Sequence, residues 1–93
     1  MTVIERAIKT YGEESQIDKA IEEMSELIKA LLKLRHCRKD YEIEILKDAV
    51  AEEMADVDIM LWQLRHIYGD VKMMAYKDEK LKRLERLLDK ECV

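Results

Sequence analysis

Proline is absent from this chain of 93 residues, and glycine occurs only as Gly12 and Gly69. Those two residues are the main helix breakers, so long helices can run with little to interrupt them. Cysteine is scarce as well. Cys37 and Cys92 are too far apart for a metal-ligand pair and too few to demand a disulfide, which fits reduced thiols in a cytoplasmic protein. No apolar run approaches the roughly 20 residues of a membrane span, and Glu5 and Arg6 break any signal-peptide core. No membrane partner is expected. Neither charge sign dominates: 17 basic residues face 21 acidic ones, for a net charge of −4. The two signs are interleaved, which argues against a nucleic-acid-binding surface. Also missing are a glycine-rich phosphate loop, a Ser, Cys or His triad, and any Glu-x-x-His of the di-iron bundles.

What is present is helical. Apolar residues make up 48% and charged residues 41% of the chain, a mixture rich in Ala, Glu, Lys, Leu and Arg. No linker rich in Pro, Gly or Ser divides it, so residues 1–93 read as one all-α domain. The spacing predicts a short helix over about residues 2–11, stopped by Gly12. A long helix follows to about residue 37, with Ser15 as its cap. A connection over 38–47 contains a helical turn near 42–46. A third helix covers about 48–68, with Asp48 as cap and Gly69 at its end. A fourth runs from about 70 to 90. Short connections make neighbouring helices antiparallel. The expected fold is an antiparallel bundle of about four helices per chain.

The chain repeats one acidic helical motif. The stretch EEMSELIKALLKLRH, from Glu22 to His36, recurs thirty residues later as EEMADVDIMLWQLRH, from Glu52 to His66, with seven of fifteen positions identical. Each copy carries carboxylates at i and i+3, Glu23 with Glu26 and Glu53 with Asp56, which project from one helical face. That face also carries Leu27, Ala30 and Leu34 in the first copy and Val57, Met60 and Leu64 in the second. Acids on an apolar seam bear a desolvation cost and repel one another, so the four together call for a cation. Oxygen-only ligands suit a hard ion, Mg2+, with Mn2+ as a substitute. His36 and His66 close their helices, where a cation is favourable. The methionines read as core filler, with Met54 and Met60 candidates to line a base pocket.

The pattern Glu22-Glu23-x-x-Glu26 followed by Glu53-x-x-Asp56 resembles the MazG-like nucleotide pyrophosphohydrolases of the all-α NTP pyrophosphatase superfamily. The likeness continues through Val57, Ile59, Met60 and Leu61, and into Tyr76-Lys77-Asp78-Glu79-Lys80-Leu81-Lys82-Arg83, which is similar to the family's late basic helix. It covers about residues 15–85. The resemblance implies that Glu23, Glu26, Glu53 and Asp56 are Mg2+ ligands. It implies that Lys80 and Arg83, assisted by Lys77, contact a triphosphate. The implied reaction is hydrolysis of an NTP or dNTP to a nucleoside monophosphate and pyrophosphate, as nucleotide-pool house-cleaning. Glu26 or Glu53 would accept the proton of the attacking water. Asp78 departs from the pattern, because many relatives carry Asn there; an acid at that place needs a cation or a lysine beside it.

Both long helices have more apolar surface than one neighbour covers. On the third, Trp62 points away from Glu53 and Asp56. A homodimer or homotetramer follows, with Trp62 a candidate subunit contact. A competing reading makes the chain a non-enzymatic helical interaction module whose acids are a solvated face.

Overall fold

The computed structural model describes residues 1–91, and Cys92 lies outside them. The described residues are four helices without a strand: α1 (Val3–Tyr11), α2 (Glu13–Arg35), α3 (Ile43–Tyr68) and α4 (Val71–Glu91). A single 3-10 turn, Asp40–Glu42, leads into α3. No helix is long and apolar enough to cross a membrane.

Thr2 starts α1. Its Oγ1 accepts the Glu5 N–H at 3.1 Å and donates to Glu5 Oε1 at 3.3 Å, satisfying one of the unpaired donors of the first turn. Gly12 ends α1 and begins α2. Its N–H donates to the Ile8 carbonyl and its carbonyl accepts from Gln16 N, at a φ of 90° that residues with a Cβ rarely adopt. Two expected caps are corrected here. Ser15 lies inside α2, where its side chain is no cap, because Gly12 starts the helix earlier. Asp48 lies inside α3, which begins five residues sooner on the 3-10 turn.

The core is a hairpin of α2 and α3, with α1 packed against both. Its buried residues fall on one stripe of each helix. On α2 they are Gln16, Ala20 and Ala30; on α3 they are Val50, Met60 and Gln63. These spacings keep to one helical face. The alanines let the backbones approach, and Ala20 is only 2% exposed. Ile4 of α1 is buried as well, and when protonated His66 pairs with Glu5 across 3.7 Å, tying α3 to α1.

The fourth helix departs from the bundle. No residue of α4 is buried, and no packed interface joins it to α2. Its attachment to α3 includes the Arg65 Nη2 contact with Met74 Sδ at 3.0 Å. The radius of gyration is 17.3 Å, against about 12 Å for a compact domain of this length. Leu81, Leu84 and Leu88 therefore face solvent along α4, as Trp62 does on α3 at 60% exposure.

Candidate metal centre

The two acidic motifs meet at the middle of the α2–α3 seam. Glu23 stands one turn from buried Ala20, and Glu53 one turn from buried Val50. Carboxylate oxygens of Glu23, Glu53 and Asp56 all lie within 4.8 Å of one another. All three side chains are half-buried. The antiparallel hairpin produces this meeting: the same turn of the seam carries Glu23 on α2 and Asp56 on α3.

The electrostatics are those of an uncompensated cluster. Glu23 has one counter-ion, Lys19, at 3.4 Å on the adjacent turn. No described lysine, arginine or histidine forms an ion pair with Glu53 or Asp56. Partial burial holds the Glu53 carboxyl above its ordinary value near 4.5, and the charges of Asp56, Glu23, Glu26 and Glu52 push it further in the same direction.

The donor set fits a small hard cation. Three carboxylates supply hard oxygen ligands, and opposite ligands of an octahedral Mg2+ are about 4.2 Å apart, within reach of side-chain adjustment from the observed spread. A divalent charge would also neutralise the mutual repulsion. Carboxylate clusters on exposed faces are common without an ion; this one is set apart by its seat on the buried stripe.

The remaining site candidates are distributed unevenly. Glu26 stands outside the triad. Its Oε1 accepts from Lys29 Nζ at 3.2 Å, and its side chain is 43% exposed, against 14% for Glu23. It still lies near enough for its charge to act on Glu53. Glu22 and Glu52 are exposed. Lys77, Lys80 and Arg83 are all on α4 and exposed, so the packing of a single chain does not hold them over the acids. Lys77 and Lys80 flank an apolar surface groove formed with Met73, Tyr76, Leu81 and Leu84. Asp78 has the lysine its position calls for, in an ion pair with Lys82 at 3.1 Å. Neither His36 nor His66 joins the acid cluster.

Two seam residues escaped sequence reasoning. Gln16 and Gln63 are buried amides on the same stripes as the acids. Their positions, seven residues before Glu23 and seven after Asp56, repeat the helical face and were the available signal. Comparison with protein-family models, characterised proteins and solved structures finds no match for the chain.

Proposed function

We propose that this chain is an Mg2+-dependent nucleoside triphosphate pyrophosphohydrolase that works as a homo-oligomer, a dimer or a tetramer. The observation that carries the reading is the convergence of Glu23, Glu53 and Asp56, drawn from both copies of the repeated motif, on one point of the seam. An isolated acidic pair on a helix surface has no such partner across the interface.

Glu23, Glu53 and Asp56 would hold the metal. When bound, Mg2+ supplies positive charge to phosphate oxygens and lowers the pKa of a coordinated water. Glu26 is the carboxylate left over: it is outside the triad, yet close to it, and one of its oxygens is free of Lys29. It is suited to accept the water proton as the water oxygen attacks the α-phosphorus. The bond from that phosphorus to the oxygen bridging the α- and β-phosphates breaks, and pyrophosphate leaves with the bond's electron pair. Lys80 and Arg83, with Lys77, would neutralise the leaving group.

Those cations sit on a helix that buries none of its residues, beside an uncovered leucine stripe. Docking that stripe on another copy of the chain would bury it and bring basic and acidic residues into one cleft. Association is therefore part of the functional reading.

The test is pyrophosphate release from a panel of NTPs and dNTPs, with Mg2+, with EDTA, and with Glu53→Gln. Metal-dependent release that the substitution abolishes supports the reading. A folded protein that neither binds Mg2+ nor releases pyrophosphate refutes it, and returns the acids to a solvated face of an interaction module.

A further inference from the structure

Where α3 bends into α4, the two helices leave a groove of about 510 Å3 between them, within the roughly 300–1,000 Å3 of small-molecule sites. Trp62, Arg65 and Tyr68 of α3 line it, with Asp58 further along the same helix and Lys77 across from them on α4. Arg65 follows Asp56 by nine residues. Nine residues are two and a half helical turns, so Arg65 leaves α3 on the side opposite Asp56. The groove is therefore separate from the acid cluster.

The Arg65 guanidinium lacks a counter-ion. Its side chain is half-buried, yet no described carboxylate pairs with it. Its one hydrogen bond runs from Nη2 to the Met74 thioether at 3.0 Å, and a thioether is a weak acceptor. Nε is shut away from water without a partner, so any ligand must meet the Nη groups. Nη1 has no partner and is not shut away. Arg65 lies in the last turn of α3, where the helix dipole favours a cation, but it donates to no terminal carbonyl. A cation withdrawn from water this far is destabilising unless an anion meets it. Lys77 has no ion pair either, and Asp58 pairs with neither cation. Two cations against one separated acid leave the groove positive, in a chain of net charge −4.

Trp62 and Tyr68 are 60% and 71% exposed, so their ring faces are open to a flat ligand. Guanidinium N–H groups make charge-assisted hydrogen bonds to phosphate, and exposed aromatic rings stack on bases of any kind. We propose that this groove binds a nucleoside monophosphate at a site apart from the metal centre. The phosphate accepts from the Arg65 Nη groups, with Lys77 adding positive charge from the α4 wall, and the base lies on Trp62. The phosphate and the ring follow from the groove itself. The choice of a nucleoside as the ring's carrier rests on the pyrophosphohydrolase reading, whose product is such a monophosphate. Stacking tolerates every base, so no base preference is expected.

Trp62 is the only tryptophan of the chain, so its fluorescence reports on this groove alone. The experiment titrates the full chain in EDTA with nucleoside monophosphates of each base, free nucleosides, phenyl phosphate and inorganic phosphate. The expected result is saturable quenching by the monophosphates. Free nucleosides and inorganic phosphate, which each supply half of the contacts, should bind about tenfold or more weakly. Arg65→Gln should weaken monophosphate binding by about tenfold or more, the loss expected for a hydrogen bond to a charged group. Arg65→Lys should restore part of it, and circular dichroism checks that both variants fold. Glu53→Gln should bind as wild type does. Absence of saturable quenching, or equal quenching in Arg65→Gln, overturns the site. Loss of binding in Glu53→Gln transfers the ligand to the acid cluster and overturns it too. A Trp62 emission that is blue-shifted and shielded from acrylamide before any ligand is added gives the groove to a second copy of the chain, with the same consequence. Phenyl phosphate binding as tightly as the nucleotides overturns the nucleoside assignment. Monophosphate binding by a chain that releases no pyrophosphate from any triphosphate sustains the groove site while the pyrophosphohydrolase reading falls.

Discussion

Ala20→Leu separates the packing of the seam from the chemistry of the acids. Ala20 is 2% exposed at the contact of α2 with α3, one turn before Glu23. Leucine is nearly as good a helix former as alanine, so intrinsic helicity changes little. The added branch has no room, and α2 must move away from α3 to admit it. Overpacking of this size costs about 1–3 kcal/mol. At about 4–8 °C per kcal/mol for a domain of this length, the melting temperature should fall by roughly 5–20 °C. The displacement also carries Glu23 away from Glu53 and Asp56, whose oxygens now lie within 4.8 Å of it. A metal that binds only the folded state raises the melting temperature in proportion to RT ln(1 + [L]/Kd). The assay is a thermal melt by circular dichroism, with and without millimolar Mg2+, for wild type and variant. Wild type should melt higher with Mg2+, and Ala20→Leu should lose most of that increment as well as basal stability. A variant that is as stable as wild type and responds to Mg2+ equally would refute both the close contact and the shared site.

The raised Glu53 pKa predicts the direction of a pH effect. A carboxyl that holds its proton more tightly when folded contributes stability fully present below the unfolded value near 4.5, and that stability is lost as pH rises through the higher folded value. In urea titrations without metal, the midpoint should fall across that window, and Glu53→Gln should flatten the profile; a midpoint that rises there counts against the uncompensated cluster. Gly12→Ala should lower stability by about 1–3 kcal/mol through its backbone conformation alone, at φ 90° and ψ 153°, since an added Cβ meets no atom within 4 Å; an unchanged urea midpoint would contradict the backbone assignment. In sedimentation velocity the chain should run larger than a monomer at micromolar concentration, and Leu84→Glu on the α4 stripe should shift it toward monomer. A monomer throughout removes the means by which α4 reaches the acids.

Much of the fold was legible because helix periodicity is local. Apolar spacing, the two glycines and the absence of proline predicted four helices, with limits within about two residues of those observed except at the start of α3, which lies five residues earlier. Each misplaced cap has its own cause. Ser15 and Asp48 are good capping types, but a glycine with positive φ already turned the chain at Gly12, and a 3-10 turn at Asp40–Glu42 began α3 early.

The candidate site was legible in part for the same reason. An i, i+3 acidic pair lies on one helical face whatever surrounds it, so the sequence alone determined that Glu23, Glu26, Glu53 and Asp56 were available as pairs. Which of them meet depends on the rotation and height of α2 against α3, set by contacts such as Ala20, Ala30, Val50 and Met60. That packing drew Glu23 to Glu53 and Asp56 and left Glu26 with Lys29. It also buried Gln16 and Gln63 around a common cavity, and it left α4 with its lysines and arginines outside the hairpin. Periodicity within a helix is a property of the backbone. Convergence between helices is a property of the side chains that fill the space between them, and only the tertiary structure decides it.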